Sequence, residues 1–280
     1  MIIIKHIAGY NQHITSEYNL GKTVGFVPTM GALHPGHISL VNKSKSEQDI
    51  TVASIFINPT QFNNAKDFEK YPVTMEKDIE MLEAAGCDIL FLPFANEIYH
   101  QGEMQKIYQL GYLEEILEGQ YRSGHFQGVC QVVDKLLNII NPSALYLGIK
   151  DYQQCKVIEK MISLTGHNLS LILCETVREA GGLAMSSRNL RLTDAERKNA
   201  TTIIDVLKKI KATLLPGSTE HLTQEAITRL EKQGFKVDYI SIADAKTLEP
   251  VGLWDGNKKI ISLAAAYLNE IRLIDNLALN

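Results

Sequence analysis

His34 and His37 stand three residues apart in FVPTMGALHPGH, residues 26–37, behind a short apolar run and among two prolines and two glycines. Imidazoles at that spacing across a helix start can face one pocket and offer N–H donors to phosphate oxygens whose charge grows during reaction. The helix start itself adds backbone N–H groups and a positive dipole end, which suit phosphate or carboxylate. Two other uses compete: each histidine can be an ordinary structural residue, and HxxH can be part of a zinc site, for which no third ligand is apparent. Gly31 and Gly36 match the spacing of GxxxxGK[ST], but His37 replaces its lysine and Ile38 its hydroxyl residue, so a Walker A loop is rejected.

Such a turn needs a strand before it and a helix after it. TVGFVP reads as a buried strand and GHISLVNKSK as the opening of a helix, which places 30–36 at the carboxyl edge of a sheet. Further β-rich runs at 50–58, 88–93, 144–147 and 169–173 alternate with helical spacing at 75–85, 128–140 and 152–164. That alternation predicts an α/β fold, a doubly wound parallel sheet with helices on both faces and its ligand crevice at the carboxyl ends of the strands. After about residue 175 the rhythm changes to a loop, REAGGLAMSSRN, helical stretches around 194–214 and 219–233, and β-like runs at 236–243 and 258–264. The expected division is a larger domain at 1–175 and a smaller C-terminal α+β lid domain at 176–280.

With 280 residues, 45% hydrophobic and 21% charged, the chain has material for two cores. A formal net charge of −4 supplies no overall positive field for DNA or RNA. Cys87, Cys130, Cys155 and Cys174 are widely spaced without a CxxC pair, as expected of reduced thiols in a cytoplasmic protein. MIIIK is too short for a signal peptide, and no later run reaches the ~18 apolar residues of a membrane span.

PTMGALHPGH resembles the HxGH signature of the nucleotidyltransferase superfamily, and in this longer form that of the pantoate–β-alanine ligases. FINPTQF at 56–62, RSGHFQGV at 122–129, LGIKDYQQ at 147–154, VREAGGLAMSSRN at 177–189 and VDYISIADAKTLEPV at 237–251 are similar to stretches of that family in the same order. The resemblance covers nearly the whole chain. It implies a Rossmann-like first domain and an ATP-dependent ligase that activates pantoate as an adenylate, then passes the pantoyl group to β-alanine. It also implies Mg2+ with ATP and a homodimer, while the charge balance and the apolar run lengths point to no nucleic-acid or membrane partner.

Residue by residue, the resemblance puts His34, His37, Lys150, Ser186, Ser187 and Arg188 at the phosphates as the catalytic set. Met30, Gly36, Gly148, Asp151, Val177 and Met185 would complete the ATP site, with Asp151 on the ribose. Pro28, Met30, Asn58, Gln61, Val129, Val132, Val133 and Gln154 would receive pantoate, the two glutamines on its hydroxyls and carboxylate. Asp78 would lie near the magnesium ion. Without the family, Lys150 and Arg188 are surface cations, Ser186 and Ser187 a capping feature, Asn58 a turn residue, the valines core, and Asp78 a solvated residue on a charged helix face.

The sequence departs from the family's usual pattern at Val73, Ser123, Ile149 and Gly181, and Pro35 fills the variable position of HxGH without an N–H. The adjacent Gly181 and Gly182 widen the conformational choice of their loop. HxGH alone also permits an enzyme that leaves AMP on a phosphate-bearing acceptor. A nucleotide sensor without chemistry is a third reading, against which the intact His34, His37, Lys150 and Arg188 argue.

Overall fold

The computed structural model describes residues 1–62, 68–100 and 102–280. They form two compact units, Met1–Ile149 with Gln153–Glu175, and Lys150–Tyr152 with Thr176–Asn280. The three residues at 150–152 group with the second unit because they are bonded to it: Asn276 Nδ2 donates to the Lys150 carbonyl, and the Tyr152 hydroxyl to that of Ala245.

The first unit is built on a six-stranded parallel sheet of β1 (Ile2–Ile4), β2 (Val24–Thr29), β3 (Ile50–Ile55), β4 (Ile89–Phe91), β5 (Ala144–Gly148) and β6 (Ser170–Cys174), in the order β1-β4-β3-β2-β5-β6. Alternate strand residues serve opposite faces. Phe26, Val52, Phe91 and Leu145 pack with helices Ile7–Asn19, His125–Ile140 and Tyr152–Thr165. Val27, Ala53, Leu90 and Tyr146 pack with Leu40, Val41 and Leu82 of helices Pro35–Glu47 and Met75–Ala84. A sheet covered on both faces explains why β2 and β3 read as nearly unbroken apolar runs. The doubly wound parallel sheet expected from the sequence is present. To the five strands read there the structure adds β1, whose three residues pair with β4 from Ile2↔Ile89 to Ile4↔Phe91.

Strand order reverses between β2 and β5, which makes their carboxyl ends the switch point where ligands enter such sheets. β2 pairs with β3 along its whole length, Val24↔Ile50 to Thr29↔Ile55, but with β5 only at Gly25↔Ala144 and Phe26↔Leu145. A cause lies in Pro28. Ile50 N–H reaches Thr23 O and Phe56 N–H reaches Thr29 O, so odd-numbered residues of β2 face β3; Ser143 N–H reaches Val24 O, so even-numbered ones face β5. Pro28 falls on the β5 side, where it has no N–H to continue the ladder. A proline in a central strand thus ends the β2–β5 ladder early.

The second unit holds a three-stranded antiparallel sheet, in the order Ile271–Ala278, Ile260–Leu268, Phe235–Asp244. Ile203, Ile204, Leu207, Leu222 and Leu230 from helices Thr202–Thr213 and Glu220–Lys232 fill its core. The strand Ile271–Ala278 is absent from the sequence reading, and the single helical stretch at 194–214 is two helices, Asp194–Ala200 and Thr202–Thr213. No helix among the described residues is long and apolar enough to cross a membrane.

Candidate active site

The turn after β2 runs through Gly31 at φ +82° and Ala32 at φ +48°. Left-handed backbone suits glycine and is strained for alanine, so the turn needs an outside hold. Asp78, from helix Met75–Ala84, supplies it. Its Oδ2 accepts the Ala32 N–H at 2.8 Å, and its Oδ1 accepts the Leu33 N–H at 2.8 Å and the Thr74 hydroxyl at 2.9 Å. The residue is 1% exposed, which corrects its reading as a solvated position on a charged helix face. Both oxygens thus hold the turn from inside the protein. Among the described residues no group of three His, Cys, Asp or Glu could hold a metal ion.

The turn delivers His34 as N-cap of helix Pro35–Glu47, with His37 at the third helical position. His34 Nδ1 accepts the Gly36 N–H at 3.2 Å, and His37 Nδ1 accepts the His34 N–H at 3.3 Å, a capping box made of imidazoles. The ring centroids are 4.0 Å apart. An Nδ1 that accepts leaves the ring proton of a neutral imidazole on Nε2. This revises the idea that bare helix-start amides would bind phosphate: Pro35 has none, and those of His34 and Gly36 are engaged by the two rings.

A second cluster gathers several residues expected at pantoate. Gln61 Nε2 contacts Met30 Sδ at 2.7 Å, which brings the 3-10 turn Pro59–Gln61 to the end of β2. Asn58 is 1% exposed; its Nδ2 donates to Gly128 O at 3.0 Å and to Gln61 Oε1 at 3.3 Å, and its Oδ1 takes the Tyr99 hydroxyl at 2.8 Å. Burial raises the Tyr99 pKa, against the opposing pull of its bonds to Thr60 and Asn58, so the phenol stays a donor. His125 Nδ1 lies 2.8 Å from Gln61 O; a carbonyl only accepts, so this ring is protonated on Nδ1. Neither Tyr99 nor His125 carries a role in the sequence reading. HF within RSGHFQGV is the one local signal for His125.

Gly128 lets helix His125–Ile140 lie against this turn. A Cβ there would meet Thr60 O and C, and Gln61 N at 2.8 Å, all of them backbone. We expect Gly128→Ala to gain roughly 0.8–1.0 kcal/mol of helix propensity and to lose more to overpacking, about 1–3 kcal/mol. Steady-state kinetics should show a raised pantoate KM; an unchanged value would separate the turn from pantoate. One turn along, Val129, Val132 and Val133 share a helix face and all belong to the buried core of the first unit. Pro28 is half-buried within β2. Gln154 is half-buried in the first turn of helix Tyr152–Thr165, whereas its neighbour Gln153 is buried and bonded to Leu113 O, Ile116 O and the Glu118 N–H. Gly148 ends β5 with open space where a Cβ would stand.

The remaining candidates lie in the second unit. Lys150 Nζ pairs with Asp151 Oδ2 at 3.0 Å, so the residue expected on ribose holds the one expected on phosphate. The 177–189 segment is a hairpin rather than an open loop. Arg178 bridges to Ala184, Met185 N–H reaches Val177 O, and Gly182 N–H closes the turn on Glu179 O at 2.7 Å. Ser186 then caps the 3-10 turn Ser187–Arg191, its Oγ accepting the Arg188 N–H at 3.3 Å. Glu179 Oε1 ties Asn189 Nδ2 at 2.8 Å and Arg197 Nη1 at 2.6 Å, which fastens the far end of the segment.

The family model described as pantoate-beta-alanine ligase matches residues 2–278. The chain belongs to that family. The pantothenate synthetase of Cytophaga hutchinsonii is 43% identical to this ligase over 284 residues, covering 100% of this chain and 99% of the relative. That of Bacteroides thetaiotaomicron is 40% identical, covering 99% and 98%. Among solved structures, the pantothenate synthetase of Thermus thermophilus matches with TM-score 0.89 and 35% identity, over 100% of this chain and 99% of that one. The pantoate-beta-alanine ligase of Francisella tularensis, complexed with beta-gamma ATP and beta-alanine, matches with TM-score 0.84 and 38% identity, over 100% and 98%. The ligase reading of PTMGALHPGH and its companion stretches is borne out.

Proposed function

We propose that this ligase condenses pantoate with β-alanine in two steps driven by ATP. A pantoate carboxylate oxygen attacks the α-phosphorus and pyrophosphate leaves. The β-alanine amine then attacks the acyl carbon of the pantoyl adenylate, AMP leaves and an amide is formed. Neither step needs a protein nucleophile. What the chain must supply is alignment of two anions and donors for the charge that gathers on phosphate oxygens.

The carrying observation is the imidazole pair at the end of β2, whose Nδ1 atoms both accept backbone N–H groups, which puts the ring proton of each neutral imidazole on Nε2. On this reading His34, His37, Lys150, Ser186, Ser187 and Arg188 act on the phosphates. Met30, Gly36, Gly148, Asp151, Val177 and Met185 line the nucleotide, and Lys150 exchanges Asp151 for a phosphate oxygen. That exchange is cheap because Asp151 is 43% exposed, and such pairs contribute about 0–1 kcal/mol. Asn58, Gln61 and Gln154 take the polar atoms of pantoate, while Pro28, Met30, Val129, Val132 and Val133 take its methyl groups. Mg2+ enters as MgATP, held by phosphates and water. The chain acts in the cytoplasm as a homodimer, for which sedimentation of the full chain should give twice the monomer mass.

The test is pyrophosphate release from MgATP and pantoate, with and without β-alanine. Adenylate and pyrophosphate should form without the amine, and AMP with the amide only in its presence. AMP retained on an acceptor would instead indicate a nucleotidyltransferase, and no release at all would end the proposal.

A further inference from the structure

Two elements of the second unit carry residues that the reading above places on phosphate: the turn at Lys150, and the segment that ends in Ser186, Ser187 and Arg188. Both are fastened to the same two neighbours on the strand Ile271–Ala278. Asp275 takes Arg178 through two parallel bonds, Nη1–Oδ2 at 2.6 Å and Nη2–Oδ1 at 2.9 Å. Arg178 also reaches Gly182 O across its own hairpin at 3.1 Å and Asn276 O at 3.3 Å. Asn276 turns the other way, its Nδ2 donating to the Lys150 carbonyl at 2.9 Å, across 126 positions of sequence. Asp275 and Asn276 are each 5% exposed, and the Asn276 N–H is held by Asp275 Oδ1 at 2.8 Å.

We propose that Asn276 is a positioning residue for the ligase reaction, setting the backbone of Lys150 in fixed relation to the Arg178 clamp at the base of the 177–189 hairpin. This rests on the reading that Lys150 contacts the nucleotide phosphates. A buried amide within a strand is costly unless it is satisfied, and here it is spent on the carbonyl of the very residue whose ammonium is to meet phosphate. Lys150 has a long, rotatable side chain, so a small rotation of its peptide moves Nζ far. Losing the bond should therefore act on alignment during the reaction more than on substrate binding.

The experiment uses the full chain with Asn276→Ala, the near-isosteric Asn276→Asp, Lys150→Ala, and the Asn276→Ala/Lys150→Ala pair. Pantoate-dependent pyrophosphate formation is followed in single turnover, with steady-state KM values and thermal unfolding alongside. For both Asn276 variants the expected rate loss is roughly tenfold to a hundredfold, the scale of a misplacement near 1 Å. The β-alanine KM should stay at its wild-type value, and in the Lys150→Ala background the Asn276 change should add little, because the two act as one unit. Fully additive losses, an unchanged rate, or a loss that only follows lowered thermal stability would overturn the proposal. Asn276→Asp keeps the side-chain volume if the alanine variant fails to fold. Wild-type turnover in Lys150→Ala would overturn the phosphate reading of Lys150 and this proposal with it; a crippled Lys150→Ala beside an unaffected Asn276→Ala would overturn this proposal alone.

Discussion

Replacing His37 with glutamine should lower pantoate-dependent pyrophosphate release by about 10²–10³-fold, the usual cost of removing one donor aimed at developing oxyanion charge. The substitution separates chemistry from folding. Glutamine at the third helical position is itself a capping-box residue, so its side-chain oxygen can still accept the His34 N–H that His37 Nδ1 accepts at 3.3 Å. What disappears is the Nε2–H of the ring. Thermal unfolding should therefore stay close to wild type while single-turnover adenylate formation collapses. If release continued at the wild-type rate, the imidazole pair would be a helix cap and nothing more. The same change at His34 is a poorer probe, because that ring caps the helix directly through the Gly36 N–H.

The second large effect is expected on stability. Arg178→Met removes the partner of Asp275, whose side chain is 4% exposed, and leaves a carboxylate with its backbone bond from the Asn276 N–H but no neutralising cation. Breaking one side of a buried pair costs about 3–5 kcal/mol, most of it the desolvation of the remaining charge. Urea unfolding should show this loss in the transition of the second unit. Combining Arg178→Met with Asp275→Leu should recover much of it, since an apolar pair of similar volume avoids the stranded charge. A single variant as stable as wild type would mean that water reaches Asp275. Activity should fall even in the stable double variant, because the hairpin that leads to Ser186, Ser187 and Arg188 loses its fastening to the strand Ile271–Ala278.

The chemistry of this ligase is legible in its sequence because it depends on residue type at short range. PTMGALHPGH carries the histidine spacing, the glycine required at φ +82° and the helix start within ten residues. The parallel sheet is legible too, since a strand buried on both faces must be apolar throughout. Local pattern fails for short or polar strands. β1 has three residues and exists by pairing with β4, and Ile271–Ala278 carries Asp275 and Asn276, a dipeptide that reads as a turn unless Arg178 and the Lys150 carbonyl are there to satisfy it.

What only the tertiary structure decided is which distant residues hold the candidate site residues in place. Asp78 grips the turn at Ala32 and Leu33 from more than forty positions away, His125 grips Gln61 from 64, and Asn276 grips Lys150 from 126. None of these pairings has a local signature, because a hydrogen bond between distant segments depends on where the packed core brings them and not on what stands beside either partner. From the amino-acid order alone, Asp78 is one more carboxylate on a charged helix and Pro28 an oddity in an apolar run. Folding makes the first the anchor of the histidine turn, and the second the gap in a central ladder.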